Sequence, residues 1–195
     1  MEVYLIRHTE TIAGKEVCYG QSDVPLKESF CAEFDRIIEE INVDDHIIYT
    51  SPLSRCTILA NYFHLHKKNQ YPITIDNRLK ELNFGEWELK KWDEIEPESL
   101  NEWMNDFVNY TIPGGESFVK LYLRVNDFIE TTLLKDQRKR PAIIVTHAGV
   151  IRCFLCRKQN IPLKDAFDLQ VNYGSVFKII VDNHNKNIFY NAISN

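Results

Sequence analysis

Two histidines stand directly after apolar runs at opposite ends of the chain. Val3-Tyr4-Leu5-Ile6 leads into Arg7-His8-Thr9-Glu10-Thr11, and Ala142-Ile143-Ile144-Val145-Thr146 leads into His147-Ala148-Gly149. Both runs have the length and apolar continuity of buried strands. In open α/β sheets, ligands bind beyond the carboxyl ends of the strands. The two imidazoles can therefore meet at one sheet edge, with Arg7 beside them. That grouping suits phosphoryl transfer. A neutral imidazole attacks phosphorus, and a guanidinium holds the phosphoryl oxygens through its planar fork.

Other segments add to the set. At Thr50-Ser51-Pro52-Leu53-Ser54-Arg55 a strand ends and a helix begins. Ser51 reads as the N-cap and Pro52 as the first helical residue. Arg55 then falls in the first turn, near free backbone N–H groups that form an anion site. His147 stands at a similar junction, where it would donate to phosphate together with the N–H of Ala148. Glu81 lies among the apolar residues of Leu79–Trp87. Desolvation there would raise its pKa toward the range of a general acid.

These groups need a scaffold. Strands are expected at Glu2–Ile6, His46–Thr50, Ile73–Ile75, Ala142–Thr146, Val176–Val181 and Asn187–Ile193. The last two flank the turn-rich Asp182–Lys186 and read as a hairpin. Phe30, Phe34, Ile37, Ile38 and Ile41 share one helical face, and so do Phe118, Leu121, Tyr122, Val125 and Ile129. Alternating strands and amphipathic helices predict an α/β fold, a three-layer α/β/α arrangement around a mainly parallel sheet. From about 76 to 116 the rhythm breaks into an aromatic and acidic stretch ending in Pro113-Gly114-Gly115. It reads as a small helical cap over the site.

With 195 residues and no linker, a single domain over 1–195 is expected. Hydrophobic content of 44% and charged content of 26% are ordinary for a soluble protein. A net charge of −5 speaks against a nucleic-acid partner. No run has the length of a membrane span, and the chain begins without a leader-like segment, so a cytoplasmic protein is expected. The five cysteines, Cys153-x-x-Cys156 included, read as packing thiols. His64-x-His66 has a spacing that points helical side chains apart, so no metal and no cofactor are expected.

Taken in order, these segments resemble the histidine phosphatase superfamily, its phosphoglycerate-mutase-like branch. The resemblance rests on Arg7-His8-Thr9, Ser51–Arg55, Glu81–Trp87, Pro113–Ser117 and Val145–Arg152. Thr9 departs from the family's glycine. The resemblance implies a phosphoglycerate-mutase-like fold and five catalytic residues. Arg7, Arg55 and His147 would hold the phosphate of a small phosphomonoester. His8 would become phosphohistidine, and Glu81 would protonate the leaving alcohol and then activate water. Cys18-Tyr19-Gly20-Gln21-Ser22-Asp23-Val24-Pro25-Leu26 further resembles α-ribazole-5′-phosphate phosphatases of cobalamin lower-ligand assembly. That implies substrate contacts at Gly20, Gln21 and Ser22, and stacking of Tyr19 or Trp87 on a benzimidazole-type base. Packing of Tyr19 beneath its own loop is the alternative. A broad-specificity phosphatase, a mutase and a non-catalytic phospholigand-binding protein are the other functions compatible with the motifs.

Overall fold

The computed structural model describes residues 1–137, 140–181 and 190–192. In chain order the first elements are β1 (Glu2–Arg7), β2 (Val17–Cys18), α1 (Phe30–Glu40), β3 (Ile47–Thr50), α2 (Ser54–His66) and β4 (Ile73–Ile75). They are followed by β5 (Lys90–Lys91), α3 (Pro97–Asn105), α4 (Phe118–Phe128), β6 (Ala142–Thr146), α5 (Ala148–Gln159), β7 (Val176–Ile180) and β8 (Tyr190–Ala192). The main sheet runs β4-β3-β6-β1-β7-β8. β4, β3, β6 and β1 are mutually parallel, while β7 pairs antiparallel with β1 and β8 antiparallel with β7.

Side-chain alternation divides the core into two layers. Val3, Leu5, Ala142 and Ile144 face one side, which α4 and α5 cover with Phe118, Leu121, Phe128, Ile151 and Phe154. Tyr4, Ile6, Ile143 and Val145 face the other, covered by α1 and α2 through Phe34, Ile37, Leu59 and Phe63. The three-layer α/β/α arrangement is the one expected. β1 and β6 are apolar at nearly every position because both of their faces are buried.

The departures are local. β1 extends one residue further, to Arg7, and β3 begins one residue later, at Ile47. Of the closing hairpin, β8 covers Tyr190–Ala192, and the expected turn at 182–186 lies outside the described residues. The 76–116 stretch contains one α-helix, α3, and ties back through β5, which pairs with β2. Its Leu82, Trp87, Ile95 and Ile112 join the core beneath α4 and α5. Among the described residues no helix is long and apolar enough to cross a membrane.

Candidate active site

Arg7 lies opposite Thr146 in the parallel register of β1 and β6. The residues that follow, His8 and His147, therefore leave the sheet side by side. The His8 backbone N–H donates to the Thr146 carbonyl at 3.0 Å. The two rings lie edge to face with centroids 5.1 Å apart. His8 Nδ1 is 2.7 Å from the Thr9 carbonyl oxygen. A carbonyl only accepts, so Nδ1 carries the proton and Nε2 is a bare lone pair. Burial holds the His8 pKa well below its ordinary value, and the charges of Arg55 and Arg7 push the same way. The ring is a neutral imidazole with a fixed tautomer, as a nucleophile requires. At Thr9 the residue's carbonyl, not its side chain, does this work; the hydroxyl is buried without a hydrogen bond among the described residues.

Both arginines are held by backbone carbonyls. Arg55 is fully buried, and its Nη1 and Nη2 donate to the carbonyls of Ser22 (2.7 Å) and Gly20 (2.6 Å). Arg7 Nη1 donates to the Val171 carbonyl at 2.6 Å, and its guanidinium lies 3.7 Å from the ring centroid of Tyr173. The Tyr173 hydroxyl bonds that of Tyr19 at 2.9 Å, and the Tyr19 ring lies 5.0 Å from the Arg55 guanidinium. The Nε donors of Arg7 and Arg55 are both buried with no acceptor among the described residues. Buried donors without acceptors are rare, and each of these is a charged donor that an anion would satisfy.

His147 is fully buried. Its pKa is pushed well down, first by burial, then by Arg55, His8 and Arg7. Its Nε2 is 2.8 Å from Ser51 Oγ, and the Cys56 Sγ lies 3.5 Å from Nε2 and 3.9 Å from Nδ1. The expectation for Ser51 is corrected here. The α2 helix starts at Ser54 behind an extended Leu53, so Ser51 and Pro52 precede it. Ser51 turns toward His147, and the Leu53 N–H reaches its hydroxyl only at 3.4 Å. Arg55 remains in the first helical turn, as expected.

Glu81 meets the start of α5. Its Oε1 accepts from the N–H of Leu82 at 2.9 Å and of Gly149 at 3.1 Å. Its surroundings are thus polar on that side, not the wholly apolar set the sequence suggested. A Cβ on Gly149 would sit 2.3 Å from Oε1, so only glycine lets the carboxylate approach. Arg124 reaches from α4 to the carbonyls of Arg78, Lys80 and Glu81, and pairs with Glu116. Glu116 in turn accepts from the Asn83 N–H. The turns at Gly85 and at Pro113–Gly115 interlock: a Cβ on Gly85 would lie 2.1 Å from the Pro113 carbonyl oxygen. These contacts fix the strand of backbone that carries Glu81.

The loop after β2 is a junction, not an open phosphate cradle. Gly20 takes φ +41°, and its missing Cβ makes room for Glu88. Glu88 accepts from the Gln21 N–H, the Ser22 hydroxyl and the Phe84 N–H. The Gln21 side chain donates to the Glu81 carbonyl at 2.9 Å. So Gly20, Gln21 and Ser22 act on Arg55 and Glu81 in this structure. Ala148 opens α5 beside His147, where its N–H has no intrahelical acceptor. Trp87 is only 3% exposed, with rings of Trp103 and Tyr110 against it. The expected stacking role for Trp87 is corrected: a large ring in this excursion was more easily buried than displayed. The sequence reading missed Ser51 as a partner of His147, and also Cys56, Glu88 and Tyr173.

Residues 3–191 match the model of the histidine phosphatase superfamily, branch 1. The chain is 26% identical over 179 residues to the adenosylcobalamin/alpha-ribazole phosphatase of Escherichia coli K12, covering 89% of this chain and 87% of that protein. It is 32% identical over 187 residues to a "probable phosphoglycerate mutase" of Shigella boydii, covering 92% and 84%. In fold it is similar to the crystal structure of the alpha-ribazole phosphatase of Shigella flexneri, with TM-score 0.86 and 24% identity across 98% of this chain and 95% of that one.

Proposed function

The chain belongs to the histidine phosphatase superfamily, branch 1, and on that premise we propose that it is a metal-independent phosphomonoesterase working through a phosphohistidine on His8. The observation that carries this reading is the bare Nε2 of His8, fixed by the Nδ1–H bond to Thr9, beside the fully buried Arg55 and the half-buried Arg7, each with a buried Nε donor. Arg7, Arg55, His147 and the Ala148 N–H hold the phosphoryl oxygens and neutralise their charge. Nε2 attacks in line, the P–N bond forms and the P–O bond to the alcohol breaks. Glu81 gives its proton to the departing oxygen. Its carboxylate then takes a proton from water, which attacks phosphorus, breaks the P–N bond and releases phosphate.

For the substrate we infer α-ribazole 5′-phosphate. Support comes from the Tyr19–Leu26 stretch and from the name of the Escherichia coli relative. The likeness to a phosphoglycerate mutase favours phosphoglycerate as the second reading. The test is phosphate release, in excess chelator, from α-ribazole 5′-phosphate, p-nitrophenyl phosphate, 3-phosphoglycerate and fructose 2,6-bisphosphate. A kcat/KM far higher for the ribazole ester supports the assignment. Uniformly low values leave a broad-specificity phosphatase. Interconversion of phosphoglycerates establishes a mutase. Loss of turnover in chelator would overturn metal independence.

A further inference from the structure

We propose that Ser51 is a positioning residue that sets the tautomer of His147, so that His147 presents Nδ1–H to the bound phosphoryl group. The role assigned to phosphate here rests on the functional reading above; the tautomer itself does not. Four observations carry it. Ser51 and His147 are both fully buried, so neither group has water as an alternative partner. Ser51 Oγ is 2.8 Å from Nε2. The hydroxyl has one proton to place, and one of its two lone pairs faces the Leu53 N–H at 3.4 Å. The nearby Cys56 thiol lies 3.5 Å from both the Thr146 carbonyl and Nε2, but it is a weak donor and a weak acceptor, so the closer hydroxyl is the stronger partner of the ring. The best acceptor for the serine proton is therefore the lone pair of Nε2.

If Nε2 accepts, the neutral ring carries its proton on Nδ1. The depressed basicity of His147 keeps the ring neutral, so which nitrogen bears the single proton decides what the ring can offer. The reverse arrangement would give Nε2–H to serine and turn a lone pair on Nδ1 toward an anion, which repels it. The two histidines then share one tautomer and divide the labour. His8 is tied through Nδ1–H and keeps the Nε2 lone pair, while His147 is tied through Nε2 and keeps its donor on Nδ1, where the Cys56 thiol is no nearer than 3.9 Å.

The test is nitrogen-15 NMR of the histidine side chains in the full-length protein, with His147 assigned by its loss in His147→Gln. The wild type is expected to show the Nδ1–H tautomer at His147. Ser51→Ala is expected to shift that ring toward Nε2–H or a mixture and to weaken competitive binding of inorganic phosphate about tenfold. Ser51→Thr, which keeps the hydroxyl, is expected to restore both. A wild-type Nε2–H tautomer overturns the proposal, as does a Ser51→Ala protein with unchanged tautomer and phosphate affinity. The expected tautomers in a protein that hydrolyses no ester would support the positioning role and sink the functional reading instead.

Discussion

At the scale of single residues, each functional group has one atom occupied by the protein and another left for chemistry. His8 spends Nδ1–H on Thr9, and Arg7 and Arg55 spend terminal nitrogens on carbonyls while each keeps a buried Nε donor. His8→Ala should therefore lower turnover by about four orders of magnitude or more while inorganic phosphate still binds, which calorimetry would show. Retained wild-type rates would remove His8 as nucleophile. Glu81→Gln should slow alkyl phosphates about 100-fold and p-nitrophenyl phosphate far less, since that leaving group needs no proton. Equal losses on both would argue against Glu81 as the acid. That Arg7, His8, Arg55, Glu81 and His147 gather at one corner was legible in sequence, because each stands at a strand end or in an ordered motif. Ser51, Glu88 and Tyr173 were not, because their roles arise only when segments far apart in the chain touch.

At the scale of elements, the start of α5 and the end of β6 do two jobs at one corner. The same turn carries His147 and, through Gly149, receives the carboxylate of Glu81. Gly149→Ala should displace that carboxylate, lowering kcat on alkyl esters at least about tenfold while leaving phosphate inhibition near its wild-type level. A variant with unchanged kcat would mean that the carboxylate finds an equivalent position. Arg124→Met should act similarly from a distance, since it frees the backbone of Arg78–Glu81 that Arg124 now holds. The strands of the main sheet were readable from apolar continuity. β2 and β5 were not, because two residues each cannot display a period, and their pairing is set by the packing of the excursion. The late start of α2 escaped notice for a related reason: Ser-Pro is a strong local signal, and a tertiary contact to His147 overrode it.

At the scale of the whole molecule, burying neutral histidines makes stability depend on pH. His8 and His147 resist protonation when folded, and His46 does so to a smaller degree, whereas in the unfolded chain each takes up a proton near 6.5. Below that pH the unfolded state binds more protons, so stability falls as pH falls. The urea midpoint should be lower at pH 5.5 than at pH 7.5, and an equal or higher midpoint at pH 5.5 would contradict the burial of neutral rings. The layered architecture was legible because alternating strands and helices have few solutions, but the sheet order was not. In that order β1 is an interior strand whose parallel partner begins at Ala142 and whose antiparallel partner is β7. Ribosomes make β1 first and its neighbours last. The Val3–Ile6 run must therefore wait, unpaired and apolar, through most of synthesis. Such long-range pairing folds slowly and leaves strand edges open to aggregation. The segment that leads into His8 thus gains its partners late, and a nascent chain stalled before β6 would carry it as an unpaired, sticky strand.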